Sequence, residues 1–272
     1  PISEATSEQM DEYYHNRLEA LLTIDEHVHS MITTLEHNQQ LDDTFIMYTS
    51  DNGYQFGQHR LSVDKRHLYE TDIRVPFVVR GRGIAANTTS RNIVSNIDIA
   101  PTILNVVVEG VEDDTNKQRR TLEQAMEDMS GLSFWDYARH VNNETAAADN
   151  DDGDDLFTKR TDLLISYHGE GFPPCGIAEC PPPFDKLWWM PDAWNNTYNC
   201  VRTLQPANKR QYANGALVDG EDSIYCRFED NENFVEYYDL MSNPYQLENE
   251  FAKLEQWQVQ RYEKRLKELR IG

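Results

Sequence analysis

A short apolar run that ends in a polar turn constrains the fold of this chain more than any other feature. Residues 44–50 (TFIMYTS) are mostly β-branched or aromatic, and Asp51-Asn52-Gly53 follows them directly. Such a run predicts a strand that is buried on both faces of a parallel sheet. Before it, residues 7–38 repeat apolar side chains at spacings of three and four, which predicts a long amphipathic helix. A helix followed by a buried strand is typical of an α/β layer.

Two further segments extend this layer. Residues 72–80 (DIRVPFVVR) predict a second strand. Pro76 would place it at a sheet edge or a bulge, because proline donates no ladder hydrogen bond. Residues 96–98 (NID) predict the start of a helix that has Pro101 in its first turn. We assign residues 1–158 to this α/β part.

From residue 159 onward the pattern changes to strands without alternating helices. Segments rich in β-branched and aromatic residues predict strands at 163–168, 197–204, 223–228 and 234–240. The last segment, 246–271, carries apolar residues at helical spacing. We therefore predict a small α+β domain over residues 159–272, with an antiparallel sheet of four strands and a C-terminal helix.

The net charge of the chain argues against one class of binding partner. There are 25 Lys+Arg and 47 Asp+Glu, which gives a formal net charge of −22. This negative field argues against a nucleic-acid partner, since such binding depends on neutralising phosphates. Six acidic and no basic residues lie between Glu144 and Asp155 and predict a solvated loop. No apolar run approaches the roughly 20 residues that a spanning helix needs, so we expect no membrane span.

The cysteines and the glycosylation sequons point to an oxidising compartment. Cys175, Cys180, Cys200 and Cys226 predict two disulfides, for which three connectivities are open. A zinc site is the alternative, although the chain has no CxxC pair. Three N-x-S/T sequons begin at Asn87, Asn143 and Asn195. Together these features predict a disulfide-bonded glycoprotein of the secretory pathway, either lysosomal or secreted.

The turn after the first strand is the best candidate for chemistry. In an open α/β sheet, sites form at the carboxyl ends of the strands. Asp51 and Asn52 lie there, and each offers a hard oxygen that suits Ca²⁺ or Mg²⁺. The alternative is an ordinary turn, because Asn-Gly is a strong hairpin signal. Downstream, the chain is dense in polar and cationic side chains, which suit an anionic substrate oxygen unless the loop is simply solvated. They are Gln58, His59, Lys65, Arg66 and His67.

Five segments together resemble the sulfatase family, and within it the exo-acting enzymes of glycosaminoglycan degradation more than the heparan endosulfatases. The first comprises residues 48–84, YTSDNGYQFGQHRLSVDKRHLYETDIRVPFVVRGRGI. The others are SNIDIAPTIL, MSGLSFWD, DAWNNTYNCVRTL and YCRFEDNENFVEYYDLMSNPYQLENEF. The resemblance covers about residues 17–270. It implies part of an α/β domain with a mixed sheet of the sulfatase/alkaline-phosphatase type, followed by a small four-stranded antiparallel domain with one helix.

The resemblance implies a sulfuric ester hydrolase that removes the 6-sulfate from N-acetylglucosamine residues of heparan or keratan sulfate. In this family a formylglycine, made from the Cys or Ser of C/S-x-P-x-R, attacks sulfur, and Ca²⁺ polarises the sulfate oxygens. The resemblance assigns Asp51 and Asn52 as two of the calcium ligands. It also assigns Lys65, in the matching DKR, as a catalytic contact to the sulfate. The expected partner is a sulfated glycosaminoglycan or sulfated sugar.

The chain departs from the family pattern in ways that limit this expectation. The C-x-P-x-R motif is absent, since Cys180-Pro-Pro-Pro-Phe184 lacks the Ser and the Arg. In the family, the paired aspartates and the catalytic His and Lys lie before the segment that this chain resembles. The chain also opens with Pro1, and we expect a C-terminal piece that holds half of the calcium ligands. Such a piece should be inactive by itself and prone to aggregate, because its sheet edges are unpaired.

The chain departs from the family pattern at position 55 as well, and the sequence leaves two alternative functions open. Gln55 stands where the family has His after Gly-Tyr, and His59 follows four residues later. The first alternative is another member of the same fold, such as an arylsulfatase, a heparan endosulfatase or a phosphohydrolase. The second is a catalytically inactive, glycan-binding sulfatase-like protein.

Overall fold

The computed structural model describes most of the chain. The described residues are 4–61, 65–90, 92–110, 116–140, 160–169, 196–205, 211–213, 216–218 and 220–271. Some sequence predictions fall outside them, namely those on Cys175, Cys180, Asn143, Asn195 and the acidic run 144–155. The domain boundary at 158/159 also falls outside them and stays a prediction.

The N-terminal part consists mainly of helices around a small sheet. Its elements are α1 (Glu4–His37), β1 (Ile46–Tyr48), α2 (Glu70–Ile73), β2 (Val78–Arg80), α3 (Ile99–Gly110), α4 (Asn116–Glu127) and α5 (Trp135–His140). The predicted long helix and the predicted helix after residue 96 are confirmed. A 3₁₀ turn at Asn96–Asp98 leads into α3, and a capping box of Ser95 and Asp98 starts it. Both elements follow the sequence signals because caps and apolar spacing act locally.

The two strand predictions for this part need correction. β1 pairs antiparallel with β2, in the register Met47↔Val79, and is not flanked by parallel strands among the described residues. Its side chains are half-buried or exposed, with Tyr48 at 41% exposure, and are not buried on both faces. An apolar run fixes the tendency to form a strand, but the neighbour in the sheet depends on tertiary structure.

The segment predicted as a strand over residues 72–80 divides into a helical turn and a short strand. The turn is α2, in which the Tyr69 carbonyl accepts hydrogen bonds from the Asp72 and Ile73 N–H groups. Only residues 78–80 join the ladder. Pro76 lies between the two pieces and cannot donate to a ladder, so the strand begins after it.

The C-terminal part confirms the predicted four-stranded sheet. Its strands are β3 (Asp162–Tyr167), β4 (Tyr198–Gln205), β7 (Glu221–Phe228) and β8 (Val235–Asp239), in the antiparallel order β3-β4-β7-β8. Between β4 and β7, a two-stranded ribbon pairs β5 (Gln211–Ala213) with β6 (Ala216–Val218). A helix packs on the sheet, since Tyr262 from it stacks on Tyr225 of β7 with ring centres 4.9 Å apart.

This helix, α6 (Gln256–Ile271), begins later than the predicted residue 246. The residues between β8 and this helix bond to β8 instead of extending the helix. The Asn249 side chain accepts from the Tyr237 N–H and donates to the Val235 carbonyl, at 3.1 and 2.9 Å. A 3₁₀ turn at Phe251–Lys253 then leads to the helix. Side chain-to-backbone bonds to a neighbouring strand therefore replace the helical bonds that the spacing predicted.

One of the predicted disulfides is present among the described residues. Cys200 and Cys226 face each other across β4 and β7, are bonded, and are fully buried. A zinc site that uses all four cysteines is thereby excluded. The described helices include none that is both long and apolar enough to cross a membrane.

The two parts of the chain meet along residues 65–73, which we call the Lys65 segment. Leu68 of this segment is 2% exposed and belongs to the apolar cluster of the C-terminal sheet, with Tyr198, Cys200 and Ile224. On the other side, the Lys65 segment contacts the turn that follows β1. It therefore links the candidate site to the C-terminal sheet.

Candidate active site

Asp51 and Asn52 lie in a turn at the carboxyl end of β1 that its own side chains hold in place. The Ser50 hydroxyl donates to the Asn52 carbonyl at 2.9 Å. The Asn52 N–H donates to Asp51 Oδ1 at 2.9 Å, and Asn52 Nδ2 donates to the Gly53 carbonyl at 2.7 Å. With its amide nitrogen committed to the backbone, Asn52 retains Oδ1 as its side-chain acceptor.

Two neighbouring elements brace this turn. Asn96, in the turn before α3, donates through Nδ2 to the Asp51 carbonyl at 2.9 Å. From the opposite side, the Gly53 N–H donates to the Asp72 carbonyl of α2 at 2.7 Å. The alternative of an Asn-Gly hairpin is wrong, because the strand that pairs with β1 is β2 and the intervening chain includes α2.

Gly53 is required by a close approach of two backbones. A Cβ at this position would lie 1.8 Å from the Thr71 carbonyl oxygen and 3.0 Å from the Asp72 Cα. Both atoms belong to backbone, so no rotamer change could relieve the contact. The glycine of the sequence motif therefore lets the turn seat against α2.

Lys65 lies beside Asp51. This proximity is required if both residues act at one site. Its Nζ is 3.9 Å from Asp51 Oδ2, and the two side chains are 52% and 80% exposed. An exposed pair at this distance contributes little to stability. The two groups are therefore open to solvent and to a ligand, which is what a binding site needs.

Gln55 and His59 contact residues of the Lys65 segment other than Lys65 itself. Gln55 is fully buried, and its Nε2 donates to Thr71 Oγ1 at 2.7 Å. The His59 ring stacks on Tyr69, with centres 3.8 Å apart and planes 13° from parallel. Burial lowers the pKa of His59 below its usual 6.5. Gln55 thus joins the turn to the Lys65 segment, and His59 packs against Tyr69 of that segment.

The loop that carries His59 is strained. Gly57 has φ of +92°, and His59 and Arg60 follow with φ of +55° and +62°. Two consecutive non-glycine residues in the left-handed region are uncommon and persist only where surrounding contacts impose them. The stack of His59 on Tyr69 is one such contact.

The donor set fits part of a hard-cation site. Asp51 and Asn52 offer a carboxylate and an amide oxygen, which are ligands that Ca²⁺ accepts. Ca²⁺ takes about six to eight oxygens, so two residues supply only part of the shell. Within the described ranges, no group of three or more His, Cys, Asp or Glu is close enough to hold a metal. The residues present are therefore suitable for calcium but do not form a complete site.

Sequence reasoning missed the residues that position this site. The sequence pattern marks Asn96 only as a helix start and Asp72 only as a strand residue. In the structure Asp72 is 3% exposed, and its Oδ2 accepts the His67 N–H at 2.8 Å. A buried aspartate has no local signal, because its partner is set by the path of the loop.

Comparison with known proteins shows which proteins the chain resembles in sequence and in fold. The family model described as Sulfatase matches residues 2–109. N-acetylglucosamine-6-sulfatase of Capra hircus is 38% identical over 258 residues, which are 92% of this chain and 38% of that protein. The Homo sapiens protein of the same name is 37% identical over 258 residues, covering 92% of this chain and 39% of its own length. The chain is therefore similar to sulfatases, in residues 2–109 by the family model and over 92% of its length by these relatives. It spans less than two fifths of the length of these relatives.

Solved structures support the fold assignment. The structure of BT4656 in complex with its substrate D-glucosamine-2-N,6-O-disulfate has a TM-score of 0.59 at 23% identity, over 91% of this chain and 38% of that one. The putative sulfatase yidJ from Bacteroides fragilis has a TM-score of 0.55 at 16% identity, over 91% of this chain and 40% of that one. At these identities the likeness concerns the fold alone.

Proposed function

We propose that this chain is part of a sulfatase that removes the 6-sulfate from N-acetylglucosamine residues of glycosaminoglycans. The observation that carries the proposal is the 3.9 Å approach of Lys65 Nζ to Asp51 Oδ2 at the end of β1. The resemblance gives these two residues adjacent roles, one on the sulfate and one on the metal. The relatives that match across 92% of the chain bear the name of this activity.

In this proposal Asp51 and Asn52 hold part of a calcium site. Calcium, when bound, polarises the sulfate oxygens as a Lewis acid. The Asn96 and Asp72 contacts keep the two ligands in place before any ion binds. Such preorganisation lowers the cost of assembling the site.

Lys65 acts in the proposal as a cationic contact to the sulfate group. Its flexible stem is half exposed, so the ammonium can move from Asp51 to a substrate oxygen. A positive charge there offsets the negative charge that builds on the sulfate and leaving oxygens.

The nucleophile is not among these 272 residues. Sulfatases use a formylglycine made within C/S-x-P-x-R, and the sequence has no such motif. The 272 residues by themselves should therefore not hydrolyse sulfate esters. The disulfide Cys200–Cys226 and the sequons further suggest the secretory pathway, ending in a lysosome or outside the cell.

The test is Asp51→Ala in the complete protein that contains this chain. We expect calcium-dependent sulfate release from 6-sulfated N-acetylglucosamine to fall on the order of 100-fold or more, since a lost ligand removes Lewis-acid stabilisation. Calcium affinity, measured by calorimetry, should fall with it. Unchanged turnover and calcium affinity would refute the assignment.

A matched control lies in the 3₁₀ turn Leu41–Asp43, which precedes β1. Asp42 is 99% exposed and lies 3.8 Å from Arg80, so its ion pair resembles that of Asp51 and Lys65 in length and exposure. Asp42→Ala should leave both calcium affinity and sulfate release unchanged. A similar loss in both variants would mean that the effect comes from surface charge in general.

Another sulfatase activity is the second candidate. The putative extracellular sulfatase Sulf-1 homolog of Caenorhabditis elegans is 45% identical over 96 residues, and an arylsulfatase of Volvox carteri is 38% identical over 105. These matches cover 35% and 37% of the chain, so they are local. Comparing a 6-sulfated monosaccharide, an aryl sulfate and an internally sulfated polymer as substrates separates the candidates. Absence of turnover on all three, with glycan binding retained, would favour an inactive binding protein.

A further inference from the structure

We propose that Tyr198, on β4 of the C-terminal sheet, is a positioning residue for Lys65. The role of Lys65 itself rests on the proposed function. Tyr198 would not touch substrate or metal, but would fix the backbone next to the lysine. The C-terminal sheet would thereby take part in building the site.

The contact that carries this inference is a hydrogen bond to the backbone beside Lys65. The Tyr198 hydroxyl donates to the Arg66 carbonyl at 3.1 Å. Arg66 follows Lys65 directly, so this bond restrains the peptide plane one residue from the lysine Cα. Restraining the backbone limits the volume that the lysine ammonium can explore.

The packing of Tyr198 makes its hydroxyl a rigid donor. The residue is 4% exposed, and its ring contacts Tyr167 and Phe228, each with centres 5.6 Å away. Burial raises the pKa of its phenol well above the usual 10. The group therefore keeps its proton at any physiological pH and can always donate to Arg66.

Other anchors hold the far end of the Lys65 segment independently. Leu68 is buried in the sheet's apolar cluster. Glu70 accepts from Arg202 Nε at 2.9 Å, and its N–H donates to Gln246 Oε1 at 2.7 Å. Loss of the Tyr198 hydroxyl should therefore loosen residues 65–67 while the segment stays docked.

The same segment also holds the Asp51 turn. The Asp72 carbonyl accepts the Gly53 N–H at 2.7 Å, and the Asp72 carboxylate accepts the His67 N–H at 2.8 Å. The Asp51 turn and Lys65 are thus both positioned by one short stretch of chain, residues 65–73. Among the contacts given above, the bond from Tyr198 to the Arg66 carbonyl lies nearest to the lysine end of the segment.

The test is Tyr198→Phe in the complete protein, with Tyr225→Phe as the matched control. Tyr225 is also fully buried in the sheet, and its hydroxyl donates to Glu263 at 2.7 Å, away from the Lys65 segment. We expect Tyr198→Phe to lower kcat/KM about fivefold, the scale of one neutral hydrogen bond. Amide hydrogen exchange of residues 65–67 should become faster. Tyr225→Phe should change neither quantity.

A double-mutant cycle with Lys65→Met decides whether Tyr198 acts through the lysine. If it does, Tyr198→Phe should have no further effect on kcat/KM once Lys65 is removed. An equal loss in both backgrounds would overturn the inference, as would exchange and kcat/KM values that match those of Tyr225→Phe.

The same variants separate this inference from the proposed function. If Lys65→Met leaves sulfate release unchanged, the role proposed for Lys65 fails. Exchange at residues 65–67 then still reports on Tyr198. Faster exchange supports its restraint of the segment, and unchanged exchange overturns it.

Discussion

Packing requires a glycine at position 53, directly after Asp51 and Asn52. Gly53 touches the carbonyl of Thr71, and its N–H bonds to the carbonyl of Asp72. A sequence motif of Asp-Asn-Gly suggests turn chemistry alone. The structure adds a second reason, which is that the site turn can reach the Lys65 segment only without a side chain.

We predict that Gly53→Ala lowers the free energy of unfolding by about 3 kcal/mol, because the added methyl must displace backbone. Urea unfolding measures the effect. Gly110→Ala is the control, since a Cβ there meets nothing within 4 Å. In the last position of α3, alanine should be neutral or stabilising by up to about 1 kcal/mol. Equal effects of the two substitutions would contradict the packing argument.

The roles proposed for the site come from the sequence only where a motif carries them. Asp51 and Lys65 stand in segments that resemble the sulfatases, and the structure brings their charged atoms to 3.9 Å. Asn96 and Tyr198 also lie in such segments, but no motif assigns a role to either of them. Each bonds to a backbone carbonyl distant in sequence, at positions 51 and 66, and many residue types can do that.

At the scale of elements, one buried aspartate joins two pieces of the N-terminal part to the start of the C-terminal part. Asp98 is fully buried, and both of its oxygens accept from Arg160. It also accepts from the backbone N–H of Ser95 at 2.7 Å and of Leu132 at 2.8 Å. The start of α3, the loop before α5 and the entry to β3 therefore meet at one carboxylate.

We predict that Asp98→Asn destabilises the fold by about 3–5 kcal/mol, because it leaves the buried Arg160 guanidinium without its counter-charge. We expect the denaturant concentration at the midpoint of unfolding to fall. Asp136→Asn serves as the control: that carboxylate is 63% exposed in its pair with Arg139. It should cost less than about 1 kcal/mol. A small effect at both positions would show that the Asp98 pair does not hold these elements together.

The errors in the element predictions share one cause. The spacing of residues 246–271 is helical, yet the helix begins at Gln256, because Asn249 bonds to β8. Residues 72–80 look extended, yet α2 forms at their start, where the buried Asp72 accepts the His67 N–H. In both cases a polar side chain bonds to backbone that lies outside the element predicted for it.

At the scale of the whole molecule, α1 leaves an apolar face uncovered among the described residues. Its exposed apolar side chains range from 36% to 65% exposure, and they are Leu18, Leu21, Leu22, Ile24, Val28 and Met31. A contiguous face of this kind promotes association. The net charge of −22 opposes it through repulsion, which salt screens.

We predict that the 272 residues expressed alone self-associate, and more strongly as salt rises from about 0.01 to 0.15 M, since the Debye length falls from about 30 to 8 Å. Static light scattering over a range of concentrations measures this. Replacing Leu18 and Leu22 by Gln should reduce association, whereas replacing the buried Met10 by Leu should not. A monomer with a sharp thermal transition at both salt concentrations would show the prediction to be wrong.

The sequence by itself determined what local interactions decide. These are the long first helix, the capped start of α3, the strand content of the C-terminal sheet, and the segments that resemble the sulfatase family. Periodicity, caps and motifs act over a few residues, so a sequence displays them directly. Tertiary structure decided which strand lies beside β1, where α2 and α6 begin, and that the C-terminal sheet supports Lys65. Those outcomes depend on contacts between residues far apart in the chain, such as Tyr198 with Arg66, and these form only when the two parts pack together.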